Sequence, residues 1–432
     1  MSERLPAALR IYRLISVAAR PLAPLALNMR RRRGKEPAER LLERRGRASI
    51  DRPDGGLVWL HAASVGELAS VLPLIERIAA RDVSVLVTTG TVTSSGLAEE
   101  RLPKGAVHQF APVDVPRYVR RFLDHWQPDL ALFVESDLWP NRIIEASCRR
   151  VPMIMINGRL SENSFRRWRR LPAAITDLLR RFDLCLARTA GDAERLSALG
   201  APRIVTAGDL KLDVPPPPCD NGKLAALREA VGYRPVLAAA STHDGEERAM
   251  IEAHQRLRAQ FPGLLTLIAP RHPERGPSVA AIAGAAGLTA ALRSRGELPA
   301  QATDIYIADT VGELGLIYRL APVVFVGGSL VRRGGQNPIE PAKLGAAILH
   351  GPHVWNFADI YAALDDARGA ERVEDIPRLT AGLAALMAQP AARQHVADIA
   401  HATVGGLSGA LDRTLHAIEP YLMQLRLGTR HA

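Results

Sequence analysis

Apolar and polar positions follow one repeating pattern from Leu57 onward. Short, mostly apolar runs alternate with longer amphipathic stretches, which is typical of a parallel sheet whose strands are joined by helices. In the first half of the chain the pattern predicts strands near residues 57–62, 83–88, 130–135, 152–156, 184–187 and 204–208. Helices are expected between these strands.

The alternation stops at residues 213–222, which contain four consecutive prolines, Pro215 to Pro218. Proline cannot continue a helix or a central strand, so this segment is predicted to be a stiff linker. Beyond it the alternation resumes, with strands expected near 236–240, 264–269, 323–326 and 347–350. The chain length of 432 residues also exceeds the ~250–300 residues at which a single core usually stops growing.

We therefore expect an α/β protein with two doubly wound, Rossmann-like domains that face a cleft. The domains are predicted over residues 35–212 and 223–432, after a basic and apolar segment at 1–34. The alternative for the end of the chain is a last helix that returns to the first domain. In this architecture ligands bind at the carboxyl ends of the strands, so functional residues are sought there.

Composition excludes several classes of protein. Hydrophobic residues make up 47% and charged residues 23% of the chain, which is ordinary globular usage and excludes a disordered tail or a fibre. The three cysteines, Cys148, Cys185 and Cys219, lie far apart and never as CxxC. This spacing argues against a disulfide framework and against a cysteine-ligated zinc site.

The formal charge of +11 is concentrated at one end of the chain. Residues 1–50 hold thirteen lysines and arginines against four glutamates, which accounts for +9 of the total. A nucleic-acid groove needs basic residues spread along a face, commonly with stacking aromatics, and aromatics are only 5% here. We therefore expect no nucleic-acid partner.

The apolar part of this basic end, residues 5–29, is too interrupted to span a membrane or to act as a secretory signal. Three arginines and two prolines break it, at Arg10, Arg13, Arg20, Pro21 and Pro24. Because a run of arginines follows at 30–33, the segment is suited to lying on an anionic leaflet. The alternative is a solvated, positively charged first helix that packs on the body of the protein.

Several common cofactor and metal motifs do not occur. The sequence has no GxGxxG after the first strand, no GxxxxGK[ST], no HExxH and no DxD of the kind that chelates a metal with a nucleotide diphosphate. Oxidoreductase and nucleoside triphosphatase functions are weakened by these absences.

Two polar clusters follow strands of the first predicted domain. The run from His61 to Glu67 leaves free amides that suit an anion, although taken alone it is better explained by Ser64 acting as a helix N-cap. The run from Glu135 to Asn141 places two acids at the end of an apolar strand, where they would face the cleft. A capping role for its Asp137 explains the spacing equally well.

Two further clusters follow strands of the second predicted domain. Ser241 and Thr242 at one helix start, with Arg271 in the adjacent loop, make a plausible phosphate pocket. The strongest cluster begins with a glycine pair that lets a phosphate or sugar approach the backbone, and its Glu340 suits a ribose diol. Its residues are Gly327, Gly328 and Ser329, followed by Gly334, Gly335, Asn337 and Glu340. The alternative is a turn whose glutamate only complements a helix dipole.

Together the four clusters resemble the bacterial 3-deoxy-D-manno-octulosonic acid (Kdo) transferases of lipopolysaccharide biosynthesis. The resemblance begins near Arg33 and covers both predicted domains. Its segments are 61–67, 135–141, 157–161, 208–211, 241–247, 271–275, 309–314 and 327–357. It implies a two-domain glycosyltransferase fold of the B type, in agreement with the predicted architecture.

The resemblance implies transfer of Kdo from CMP-Kdo to a tetraacylated lipid A precursor, with inversion and without a bound metal or other cofactor. It implies a general base at Glu43, in a Glu-Arg-Arg-Gly stretch that follows Leu42 where the family has glycine; Glu36 is the nearest competitor. Glu135 and Ser64 are implied to lie near the sugar, with Glu135 supporting the active site.

The resemblance also implies a donor site. Helix amides after the glycine pair and Asn337, together with Arg271, would stabilise the charge on the departing CMP, and Glu340 would hold its ribose. The complete set expected to bind the donor is Ser64, Ser241, Thr242, Arg271, Gly327, Gly328, Ser329, Asn337 and Glu340.

A lipid acceptor stays in its leaflet, so we expect a peripheral or monotopic protein at the cytoplasmic face of the bacterial inner membrane. Two arginine clusters are expected to contact the anionic membrane surface or the acceptor: Arg30, Arg31, Arg32 and Arg33, and, around Trp168, Arg166, Arg167, Arg169 and Arg170. An exposed helix face is the alternative for the second cluster.

Two other functions stay open on the sequence alone. The first is another sugar transferase or an epimerase of the same fold that uses a UDP donor. The second is a non-catalytic, anion-binding protein of the membrane surface. Donor choice and the presence of sugar transfer distinguish them.

Overall fold

A computed structural model describes residues 5–428, with side chains to 425, and the chain divides into two compact units. Unit 1 contains the described residues up to Val214 and those from Ser408 onward; unit 2 runs from Pro215 to Leu407. The division therefore falls inside the proline-rich segment. The last helix belongs to unit 1, because its Ile418 and Leu422 are buried in the core of the first sheet. The second domain was expected to run to the end of the chain, with a return of the last helix to the first domain as the alternative.

Unit 1 is a parallel sheet with helices on both faces. Its elements are α1 Ala7–Ala18, α2 Ala23–Arg32, β1 Leu57–His61, α3 Val65–Ala79, β2 Ser84–Thr89, α4 Val92–Arg101, β3 Ala106–Phe110, α5 Pro116–Trp126, β4 Leu130–Val134, α6 Pro140–Cys148, β5 Met153–Gly158, α7 Glu162–Trp168, α8 Pro172–Leu179, β6 Leu184–Ala187, α9 Ala190–Ala198, β7 Ile204–Thr206 and, from the end of the chain, α18 Ala410–Gly428. The strand order is β3-β2-β1-β4-β5-β6-β7.

The apolar strands of unit 1 form because both faces of the sheet are covered. Every residue of β1 and β4 is buried, as expected for a parallel sheet packed on both sides. One face packs around Trp59 and Phe133, and the other around Leu60 and Val134. Pro21 lies in a short 3-10 turn, Arg20–Leu22, that separates α1 from α2, and Pro24 lies in the first turn of α2.

Unit 2 repeats the same architecture. Its elements are α10 Asn221–Val231, β8 Val236–Thr242, α11 Glu246–Leu257, β9 Leu265–Pro270, α12 Gly276–Ala285, β10 Ala290–Leu292, β11 Ile305–Ile307, α13 Leu314–Leu320, β12 Val323–Val326, α14 Ile339–Lys343, β13 Ala347–His350, α15 Ala358–Ala367, β14 Ala370–Arg372, α16 Ile376–Ala388 and α17 Pro390–Leu407. The strand order is β10-β11-β9-β8-β12-β13-β14, and all recorded pairs are parallel.

Each sheet has a topological switch point, where successive strands are added first on one side and then on the other. The switch lies between β1 and β4 in unit 1 and between β8 and β12 in unit 2. Ligands of doubly wound sheets bind outside the carboxyl ends of the strands at such points. The polar clusters predicted from the sequence follow these four strands.

All ten predicted strands lie in the two sheets, and the fold class is confirmed. Four strands are additional. The strand β3 was not predicted because its His108 and Gln109 interrupt the apolar pattern. The strands β10, β11 and β14 have three residues each and are too short to give a pattern. The spacing of Thr310 and Glu313 predicts a capping box at the start of a helix. In the structure the Thr310 hydroxyl instead donates to the Glu313 carboxylate, and the helix starts later, at Leu314.

Candidate active site

The switch point of unit 1 gathers the first two polar clusters. Ser64 is the N-cap of α3 and accepts a hydrogen bond from the Glu67 amide. Glu135 directly follows β4, and Asp137 lies two residues after Glu135. Because β1 and β4 are neighbours in register, the structure brings the side chains of Glu67, Glu135 and Asp137 close enough to interact electrostatically.

Backbone strain occurs at the carboxyl ends of strands in both units. Glu135 has φ +57°, Asn157 at the end of β5 has φ +51°, and Ser241 in unit 2 has φ +56°. A left-handed conformation costs non-glycine residues roughly 1–2 kcal/mol each, and such residues cluster at functional sites. Glu135 is held in place by Lys211, whose Nζ lies 3.2 Å from its carboxylate.

Glu67 is a strongly perturbed carboxyl group at this edge. One of its oxygens accepts from the Ala63 amide at 2.7 Å, and the other accepts from the Ser64 hydroxyl at 2.8 Å. Burial raises its pKa to about 7, and the negative charges of Glu135 and Asp137 add to the rise, while both hydrogen bonds oppose it. A carboxyl group with a pKa near neutrality is suited to general base catalysis.

Sequence reasoning did not single out Glu67 within its cluster. The spacing Ser-x-x-Glu is also that of an ordinary capping box, which conceals a functional acid. The signal in the sequence was a third acid, Glu67, shortly after the buried strand β1, in addition to the two acids of the neighbouring cluster.

A buried polar group supports Asp137. His61 Nε2 lies 2.8 Å from the Asp137 carboxylate and 2.7 Å from Arg142 Nη1, and its Nδ1 lies 2.8 Å from the Thr88 hydroxyl. Burial, together with the positive charge of Arg142, lowers the pKa of His61. The imidazole is therefore neutral and acts as a fixed support for the carboxylate.

Glu43, the base implied by the family resemblance, is buried and saturated. Its carboxylate accepts hydrogen bonds from Arg40 Nε and Nη2, from the Ser49 hydroxyl and from the Phe110 amide, at 2.7–3.0 Å. The competitor Glu36 is also buried and is paired with Arg30 and Arg44. These contacts fit a structural role: the Glu43 carboxylate accepts four hydrogen bonds and that of Glu36 accepts three, all from protein groups.

The glycine loop of unit 2 differs from expectation in one respect. The amides of Gly328, Ser329 and Leu330 were expected to receive a phosphate, but they donate to the carboxylate of Glu246 at 2.7–3.0 Å. Glu246 is buried and also accepts from the His243 amide. The glycines serve packing instead: a Cβ on Gly327 would lie 2.6 Å from the Ser241 carbonyl oxygen.

Positive charge converges beside this loop. Burial lowers the pKa of His243, and the charges of Arg333, His272, Arg271 and Arg275 lower it further. Arg275 is paired with Glu247 and Asp244, whereas Arg271 is exposed and contacts β8 through its backbone amide. Arg271 and Arg333 therefore present positive charge near the switch point of unit 2, with Arg333 not among the residues predicted from the sequence.

The remaining donor candidates divide into buried and accessible groups. Thr242 donates to Glu247, and Ser329 is fully buried, where its hydroxyl donates to the Val326 carbonyl. The Asn337 side chain accepts from the Ile339 amide at the start of α14 and donates to Glu340 at 3.1 Å. Burial raises the pKa of Glu340, so its environment differs from that of a solvated helix terminus.

Both predicted arginine clusters are on the surface. Arg30 to Arg33 are exposed at the end of α2, and Arg30 pairs with the buried Glu36 at 2.9 Å. The second cluster, Arg166, Arg167, Arg169 and Arg170, is exposed around α7, where Arg166 pairs with Glu162. The first two helices and the 3-10 turn between them also expose large apolar side chains: Ile11, Leu14, Ile15, Val17, Leu22, Leu25 and Met29.

The described part of the chain contains neither a membrane-spanning helix nor a cluster of metal ligands. Within residues 5–428, no helix is long and apolar enough to cross a membrane. Over the same residues, no group of three or more histidine, cysteine, aspartate or glutamate side chains is arranged to hold a metal ion.

The two parallel, doubly wound sheets, each followed by polar clusters at its switch point, form a two-domain α/β fold of the glycosyltransferase B type. In agreement, the chain is similar to a glycosyltransferase of known structure from Rickettsia africae, with a TM-score of 0.58 and 10% identity over 86% of this chain and 99% of that one. At this identity the similarity establishes the fold alone.

Sequence comparison identifies the family. The family model for 3-deoxy-D-manno-octulosonic-acid transferase matches residues 39–214. The 3-deoxy-D-manno-octulosonic acid transferase of Bordetella pertussis is 37% identical over 88% of this chain and 90% of its own length. That of Haemophilus influenzae is 33% identical over 89% and 92%. The chain belongs to the 3-deoxy-D-manno-octulosonic acid transferase family and is a glycosyltransferase, which confirms the resemblance deduced from its motifs.

Proposed function

We propose that the protein transfers Kdo from CMP-Kdo to a lipid A precursor at an anionic membrane surface, in lipopolysaccharide biosynthesis. The observation that carries this proposal, beyond family membership, is Glu67. It is a half-buried carboxyl group with a pKa of about 7 at the switch point of unit 1. Sugar transfer to a hydroxyl needs a base of this kind.

The acceptor hydroxyl loses its proton as its oxygen attacks the anomeric carbon of Kdo. We assign the proton to Glu67, because its ionised form is abundant at neutral pH and its two hydrogen bonds fix its orientation. Glu135 and Asp137 raise its pKa and so increase its basicity. In this assignment Glu43 stabilises the fold around Arg40 and takes no proton.

The bond from the anomeric carbon to the CMP phosphate breaks as the new bond forms, and negative charge develops on the phosphate. Arg271 and Arg333 supply positive charge near the switch point of unit 2, where they would stabilise the departing CMP. Glu340 is proposed to bind the ribose hydroxyls, with Asn337 orienting its carboxylate. Ser241, with its strained backbone, lies at the end of β8.

Membrane association is proposed to use α1 and α2. The exposed apolar side chains of these helices suit the interface between headgroups and acyl chains. Arg31, Arg32 and Arg33 lie at the end of α2 and are exposed. The ion pair with the buried Glu36 is formed by Arg30. Each basic residue near an anionic leaflet contributes about 1 kcal/mol before screening.

Donor and acceptor choice test the proposal. The protein is incubated with detergent-dispersed lipid A precursor and either CMP-Kdo or UDP-N-acetylglucosamine, and free nucleotide and lipid mass are measured. We expect CMP release coupled to a lipid heavier by one or more Kdo residues, and no UDP release. UDP release would favour another nucleotide-sugar enzyme, and vesicle binding without transfer from either donor would favour a non-catalytic membrane protein.

A further inference from the structure

We propose that an apolar groove in unit 1 binds one acyl chain of the acceptor lipid and thereby places the acceptor headgroup beside Glu67. The inference rests on the proposed function and adds to it a subsite for the lipid part of the substrate. The groove lies between α1, the 137–140 loop and α8, with Trp168 at its side.

The groove has the size and lining of a lipid subsite. Its volume is about 320 Å³, at the small end of the ~300–1,000 Å³ typical of ligand pockets. Its walls include Leu9, Tyr12, Trp139, Trp168 and Leu171, and Asp137 is the one acid among its lining residues. An acyl chain needs such a surface, because apolar contact supplies nearly all of its binding energy.

Asp137 connects the groove with the candidate active site, because it lines the groove and also interacts electrostatically with Glu67. This carboxylate lies 2.8 Å from His61 Nε2 and contributes to the raised pKa of Glu67. A lipid whose chain lies in the groove therefore has its headgroup near the carboxyl edge of β1 and β4. Binding of the chain would orient the acceptor hydroxyl, which is how remote binding energy assists a reaction.

The rim of the groove fits an anionic, acylated lipid rather than a second protein chain. Trp139 is 43% and Leu171 is 49% exposed, so the apolar lining extends to the surface. On the same α1 helix, Ile11, Leu14 and Ile15 are exposed, which connects the groove to the proposed membrane-binding face. The exposed arginines 166, 167, 169 and 170 flank Trp168 and complement the phosphates of the acceptor.

Polar contacts behind the groove hold its walls in place. The Tyr12 hydroxyl donates to Asp114 at 2.9 Å, and Asp114 accepts the amides of Asn141 and Arg142. The guanidinium of Arg142 lies 5.6 Å from the centre of the Trp139 ring. The groove is thus preorganised and needs little ordering when a chain binds.

A substitution that fills the groove tests the proposal. Ala8 lines the groove, and Ala7, its neighbour in α1, is exposed and does not. We expect Ala8→Trp to raise the KM for detergent-dispersed lipid A precursor at least tenfold, since each methylene left in water costs about fourfold in affinity. Transfer to the deacylated precursor should stay within twofold, and the matched Ala7→Trp control should change neither.

A second variant guards against misfolding of the first. Leu171 is the N-cap of α8, so Leu171→Ser removes an apolar side chain from the rim and supplies a preferred capping residue. We expect about a fourfold rise in KM for the acylated precursor only. Equal effects on both acceptors, or no effect on either from both variants, would overturn the proposal.

Binding is measured separately from transfer. Precursor carrying bromine on its acyl chains should quench the fluorescence of Trp139 and Trp168. In the Ala8→Trp variant, after subtraction of the fluorescence of the added tryptophan, this quenching should be smaller. Quenching without any Kdo transfer by the unaltered protein would count against the proposed function alone. If Ala8→Trp instead weakens binding to acceptor-free vesicles and leaves the detergent KM unchanged, the groove holds a bilayer lipid and the proposal fails.

Discussion

Replacement of Glu67 by glutamine should stabilise the protein above neutral pH. The raised pKa of Glu67 means that the fold favours its neutral form, because burial and two neighbouring acids penalise its charge. Below its unfolded pKa of about 4.5 there is no penalty; the penalty grows as the pH rises through the folded pKa of about 7 and is constant above it. Glutamine is neutral at every pH, so the variant does not carry this charge penalty.

The magnitude follows from the shift. A change from 4.5 to about 7 corresponds to about 3 kcal/mol at ~1.4 kcal/mol per unit, and partial solvent exposure reduces this to about 1–3 kcal/mol. Glu67→Gln should therefore raise the free energy of unfolding of unit 1 by about 1–3 kcal/mol at pH ~8, and hardly at all at pH ~4.5. The same residue should govern rate, with transfer half-maximal near pH 7.

The assay is urea unfolding at both pH values, followed by the fluorescence of the unit 1 tryptophans. Glu76→Gln, at an exposed site on the same α3 helix, is the matched control and should change the free energy of unfolding by less than about 0.5 kcal/mol at either pH. An equal midpoint shift for Glu67→Gln at pH ~4.5 and pH ~8, or a destabilisation at pH ~8, would refute the reasoning.

Four further outcomes are expected. Glu43→Gln should cost about 3 kcal/mol of stability, measured by urea unfolding, because Arg40 loses a buried partner. Arg271→Ala and Arg333→Ala should each weaken CMP binding about tenfold and reduce its salt dependence, measured by calorimetry; unchanged affinity would exclude a phosphate contact. Glu340→Ala should weaken CMP and CMP-Kdo equally and act mainly on KM. Neutralising residues 31–33 should reduce binding to anionic vesicles, measured by sedimentation, without changing CMP affinity.

Periodicity predicted the fold because parallel strands buried on both faces have nearly uniform apolar sequences. The strand Leu130–Val134 is an example, with every residue buried. Ala106–Phe110 was missed because its His108 and Gln109 bond to specific partners: His108 to the Thr89 hydroxyl and Gln109 to Trp126. Polar residues with buried partners carry no periodic signal, so their strands are found only in three dimensions.

The site was predicted less completely, because its chemistry depends on which groups face each other. Ser64 and Glu67 look like a capping box in the sequence, and the pKa of Glu67 is raised by its burial and, to a smaller extent, by the negative charges of Glu135 and Asp137, all of which depend on the tertiary structure. In the same way, the amides after Gly328 were expected to be open for a phosphate. They are occupied by Glu246, 82 residues earlier in the chain, and local sequence does not contain that pairing.

Single-turnover transfer from CMP-Kdo to lipid A precursor, followed by the mass of the lipid product, tests the central claim most directly. The unaltered protein should add Kdo, and Glu67→Gln should do so about 10²–10⁴-fold more slowly, while the folded fraction of Glu43→Gln keeps a rate near that of the unaltered protein. No mass increase with the unaltered protein would contradict Kdo transfer. If Glu67→Gln transfers Kdo at the rate of the unaltered protein while Glu43→Gln is folded but inactive, the base is Glu43 and not Glu67.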